Sequence, residues 1–124
     1  MLNKLIALLL AGAIVAPANI ASAHAVLVSA SPNRSQVLYK APSMVSLTFD
    51  DDLIVLGKSN QVSVTDPIGK SVTKGVASVS GATITVRLAK ITRYGKYKVL
   101  YRVVSADGHP VSAFYYFYFR KFGK

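Results

Sequence analysis

The chain has 124 residues, 15 Lys+Arg against 5 Asp+Glu, 2 His, no Cys and no Trp, and a formal net charge of +10. That length allows one domain. Without Cys there is no disulfide, thiolate metal site, iron–sulfur cluster or cysteine nucleophile, and with Asp as the sole acid type, HExxH zincins and glycosidase sites built on paired Glu are excluded as well.

Residues 1–23 read as a secretory signal peptide. Lys4 supplies the positive start, residues 5–15 form the apolar stretch, Pro17 ends it, and Ala21-Ser22-Ala23 is a small-x-small cleavage signal. A spanning helix needs about 20 apolar residues, so an uncleaved anchor is the weaker rival. Cutting after Ala23 removes 23 of the 124 residues, Lys4 among them, and leaves 101 residues at a formal charge of +9, beginning with His24. Export to a bacterial periplasm is the expected destination.

The remainder alternates apolar and polar residues with the period of strands. Val26 and Val28 alternate with Leu27 and Ser29. Val45, Leu47 and Phe49 share a face, as do Val62 and Val64, then Ile84, Val86 and Leu88, then Tyr97, Val99, Tyr101 and Val103. Residues 114–119 are aromatic on both faces, which predicts a central strand filling the core on one side and packing under loops on the other. Residues 53–58 have no clear period and read as a loop or irregular crossing. Turn signals divide the runs at Ser31-Pro32-Asn33, Ala41-Pro42-Ser43, Asp66-Pro67-Ile68-Gly69, Ser80-Gly81, Tyr94-Gly95-Lys96 and Asp107-Gly108-His109-Pro110. About seven short strands of this kind predict an all-β, immunoglobulin-like Greek-key sandwich, with closure into a small barrel as the alternative.

The two histidines sit at unusual points. His24, as a processed N-terminus, offers an α-amine of ordinary pKa about 7.7–8 and an imidazole of about 6.5, two nitrogens that can close a chelate ring. His109 stands two residues after Asp107, a spacing that sends a carboxylate and an imidazole to the same side of an extended segment; Gly108 puts no side chain between them and Pro110 favours extended geometry at His109. Three nitrogens and one oxygen suit Cu(II) best, with tetrahedral zinc as the competitor. A solvated terminal His and an ordinary Asp-Gly turn are the bland readings of the same residues.

These features resemble the CopC-like periplasmic copper-binding proteins. The resemblance is carried by His24-Ala25-Val26-Leu27-Val28-Ser29-Ala30-Ser31-Pro32, the Ala41-Pro42 turn, Val45-Ser46-Leu47-Thr48-Phe49, Gly95-Lys96-Tyr97-Lys98-Val99 and Val104-Ser105-Ala106-Asp107-Gly108-His109-Pro110-Val111-Ser112. It implies a β-sandwich carrying one Cu(II) per chain at one end, held by His24, Asp107 and His109. Some members place an acid two positions after the Phe of the second strand, here Asp51, which ranks behind the other three because Asp is shorter than Glu. Some carry a Met-rich loop for Cu(I); Met44, the one methionine left after processing, reads as core filler. A CopD-like inner-membrane copper transporter is the partner the family implies.

The expected function is therefore a non-enzymatic periplasmic copper carrier or buffer in copper homeostasis or resistance. A small copper-dependent oxidative enzyme and a metal-free exported adhesion module are the alternatives. The scattered basic residues, densest over 90–98, fit solubility or attraction to an anionic envelope better than nucleic-acid binding, and no stable membrane insertion is expected once the signal is cut.

Overall fold

Alternating Val, Leu, Phe and Tyr with Ser, Thr and Lys leaves one apolar face per strand, and two such faces pressed together exclude water from both. The computed structural model describes residues 25–123 and realises that solution. The predicted signal segment and His24 lie outside the described residues. Eight strands follow one another: β1 (Leu27–Ser31), β2 (Val37–Leu38), β3 (Met44–Phe49), β4 (Gln61–Thr65), β5 (Thr73–Ser80), β6 (Thr83–Leu88), β7 (Gly95–Val104) and β8 (Pro110–Phe119). They form two four-stranded sheets, ordered β1-β3-β6-β5 and β2-β8-β7-β4.

The first sheet turns Val45, Leu47, Ile84 and Val86 inward, and the second Val64, Tyr97, Val99, Val103 and Phe117, each of them buried. Tyr97 and Phe117 stack with ring centroids 5.3 Å apart and an interplanar angle of 11°. Gly95 is required where β7 begins: its φ is +136°, and a Cβ there would lie 2.7 Å from Pro67 Cγ.

The structure departs from the expected strand count, eight against about seven, and two of the strands carry no sequence signal. β2 has only two residues, too few to show a period. β5 shifts register between Lys74 and Ser78, and Val76 is 89% exposed, so its alternation is broken by a bulge that also blunts a sheet edge. Met44 is not core filler; it lies on the outer face opposite Arg87 and is 47% exposed. The outward aromatics of β8 are not covered by loops either. Lys96 Nζ sits 4.4 Å from the Tyr116 ring centroid and Lys98 Nζ 4.5 Å from that of Phe114.

Tyr115, on the inner face of β8, donates its hydroxyl proton to Pro32 O at 2.7 Å. Burial pushes this phenol above its ordinary pKa, with a smaller contribution from Tyr101. The folded chain therefore keeps a proton that the unfolded chain loses near pH 10. Stability from this group is complete below that pH and declines as pH rises toward the folded value. Tyr115→Phe is expected to lower stability at pH 8 by about 1 kcal/mol, from the lost hydrogen bond, and to flatten the alkaline decline. Denaturant melts between pH 8 and 12 measure both.

Candidate metal centre

Ser105, Asp107 and His109 lie in the turn from β7 to β8. Ser105 is fully buried and bridges to Leu53 across the connection that follows β3. Its hydroxyl donates to Asp107 Oδ1. The same oxygen accepts the backbone N–H of His109 at 3.0 Å, and Asp107 Oδ2 lies 3.0 Å from His109 Nδ1. These hydrogen bonds, the Ser105 hydroxyl first and the His109 side chain next, hold the Asp107 carboxyl well below the usual carboxylate range.

The two-residue spacing predicts an extended segment. Instead the pair meets across a turn, in which Gly108 N–H donates to Ser105 O at 2.8 Å. Gly108 has φ +87° with nothing within 4 Å of where a Cβ would stand; backbone conformation, not space, favours glycine there.

The geometry has a chemical consequence. A carboxylate offers about four lone-pair sites. Three hydrogen bonds engage Asp107, which leaves it the capacity for one further bond. Asp107 Oδ2 and His109 Nδ1 face one another, so the turn presents a carboxylate oxygen and an imidazole nitrogen side by side, two donor atoms that a cation can share in place of a proton.

Two other segments converge on this turn. Asp52 O accepts from Ala106 N–H at 3.1 Å, and Ile54 N–H donates to Val104 O at 2.9 Å. Asn60 braces the same corner, donating to Ile54 O at 2.6 Å and accepting from Val104 N–H at 2.9 Å. Thus the unpatterned stretch 53–58 is an irregular crossing anchored at its ends rather than a free loop. Asp50 takes hold of the incoming chain. Its Oδ1 accepts Val26 N–H at 2.8 Å, and its own N–H donates to Val26 O at 3.0 Å. Ala25 is buried. Four of the five acids, Asp50, Asp51, Asp52 and Asp107, sit in these two linked connections, so the acids of a basic chain are concentrated at this corner of the fold.

Of the four predicted site residues, the structure brings Asp107 and His109 together. Asp51 Oδ1 accepts the N–H of Asp52 at 2.9 Å, and no third His, Cys, Asp or Glu completes a metal-holding group among the described residues. His24 lies outside them. Sequence reasoning missed two contributors. Ser105 was legible only as the small polar residue two before Asp107. Asp50 is the first of three consecutive acids after β3, and its backbone clamp has no sequence signature.

The CopC domain family matches residues 27–120. The chain belongs to the CopC family. No curated protein matches it by sequence. Among solved structures, it is similar to CopC from Methylosinus trichosporium OB3b, at 29% identity and a TM-score of 0.71, covering 82% of this chain and 98% of that one. It is also similar to PcoC, a methionine rich copper resistance protein from Escherichia coli, at 25% identity and a TM-score of 0.66, covering 79% of this chain and all of that one. This CopC-family chain has two methionines in all, so the methionine richness of PcoC is not shared.

Proposed function

We propose that this protein is a periplasmic copper-binding protein of copper homeostasis or resistance, holding one Cu(II) through the α-amine and imidazole of His24, the carboxylate of Asp107 and the imidazole of His109. The observation that carries this reading is the Asp107–His109 pair, ordered by Ser105 in a turn bonded to the same connection that clamps Val26. Family membership and the likeness to a copper resistance protein support copper as the cargo. The donor set is nitrogen and oxygen, which suits Cu(II) over Cu(I). Met44 stands apart from it on the outer face of β3, so no dedicated Cu(I) site is assigned. The protein binds and hands on copper without turning over a substrate, and a CopD-like inner-membrane transporter is the recipient. Asp51 is at most a flanking charge in this reading.

Titration of processed protein with Cu(II) at pH 7 is expected to raise a d–d absorption band that saturates at one equivalent. Lowering the pH from 7 to 5 releases the metal, because protons compete for the imidazoles and the amine, while Asp107, its pKa depressed, stays ionised. A band that never saturates, or full occupancy at pH 5, overturns the ligand set.

A further inference from the structure

The two outer faces of the sandwich differ in kind. On the first sheet, hydroxyls pair across strands, Ser46 with Thr85 at 3.4 Å and Thr48 with Thr83 at 2.9 Å. On the second, the register sets Lys96 opposite Tyr118, Lys98 opposite Tyr116 and Leu100 opposite Phe114. Each lysine leans diagonally, Lys96 over Tyr116 and Lys98 over Phe114, and Arg120 lies over Tyr118 with its Cζ 5.3 Å from the centroid. Cations and rings thus alternate in one ladder along β7 and β8.

No acid interrupts this face, since all five Asp lie in the connections between strands. Apolar groups are exposed within it: Leu100 is 46% exposed and Phe114 48%. Beside them a recess of about 240 Å³ opens between β4 and β7, lined by Gln61, Ser63, Leu100, Arg102 and Ser112 among others.

We propose that this outer face of β4, β7 and β8 docks on the surface of an anionic phospholipid bilayer. Ordered cations standing above aromatic rings, with apolar tips among them, match the chemistry of a headgroup layer, where phosphates lie above acyl chains. The ammonium groups cover the faces of Phe114 and Tyr116, which a nucleic-acid base would need for stacking. No helix among the described residues is long and apolar enough to cross a membrane. The surface is separate from the metal site and its test is independent of copper.

The test is co-sedimentation of the purified protein with vesicles of phosphatidylcholine, with and without phosphatidylglycerol, at low and raised salt. Binding is expected to the phosphatidylglycerol vesicles alone and to weaken with salt. Each basic residue near such a surface contributes about five-fold in partitioning, so Lys96→Gln with Lys98→Gln is expected to weaken binding about 25-fold. Phe114→Ser is expected to weaken it further. Lys74→Gln with Arg87→Gln removes the same charge from the outer face of the first sheet and is expected to leave binding within about two-fold of the parent. Circular dichroism melts check that all these surface variants fold. Equal losses in the two double variants mean that net charge alone binds the vesicles, and overturn the proposal. So does binding to a single-stranded oligonucleotide without binding to vesicles, and so does binding to neither.

Discussion

Replacing His24 by Ala, or leaving one residue ahead of it, is expected to weaken Cu(II) binding by at least about 100-fold while leaving thermal stability of the metal-free protein unchanged. Outer-shell partners of metal ligands alone are worth roughly 10–100-fold in affinity, and His24 supplies two of the four proposed donor atoms. The extended form is the sharper variant. It retains the imidazole but converts the amine to an amide, which is no donor at neutral pH, and so isolates the chain end from the side chain. The fold is expected to survive either change, because buried Ala25 and the hydrogen bonds between Val26 and Asp50 anchor the segment downstream of it. Competition titration against a chelator of known affinity, with melts in parallel, reads both quantities. Unchanged affinity in the extended variant removes the amine from the ligand set.

Phe117→Ala is expected to cost about 3–5 kcal/mol of folding stability, a large share of the roughly 5–15 kcal/mol available to a domain. Phe117 is fully buried at the centre of β8 and stacks on Tyr97 from β7. Truncation opens a cavity between the sheets and leaves the Tyr97 ring without a stacking partner on that side. The neighbouring strands are hydrogen-bonded on both edges of β8, so the site collapses poorly. Phe114→Ala, on the same strand but 48% exposed, is expected to cost less than about 1 kcal/mol, chiefly the contact with Lys98. Guanidinium unfolding of the two variants side by side tests the assignment of inner and outer faces.

The sandwich was legible because burial on one face imposes a period of two on the strands that build the core. β3, β4, β6 and β7 announce themselves through Val45, Val62, Ile84 and Tyr97 and the apolar residues spaced by two from each. β5 was not legible because its bulge interrupts that period, and β2 because a pair of residues has none. The doubly aromatic β8 showed which strand is central but not what covers its outer face, since Lys96 and Lys98 become neighbours of Tyr116 and Phe114 only through the register of the hairpin. At the candidate site, residue types and spacing singled out Asp107 and His109, whereas their hydrogen-bonded geometry depends on a left-handed Gly108 and on the buried Ser105. Asp50 acts through backbone groups of a segment 24 positions away, and long-range contacts of that kind leave no trace in local pattern.

β1, which follows the segment clamped at Val26, belongs to one sheet, and the turn holding Asp107 and His109 connects two strands of the other. On the proposed ligand set an ion gripping both would rivet the two layers at one end, in a chain that has no cysteine to do so covalently. Loading would then stabilise the folded chain against unfolding by mass action, and surrender of the cargo would remove that stabilisation.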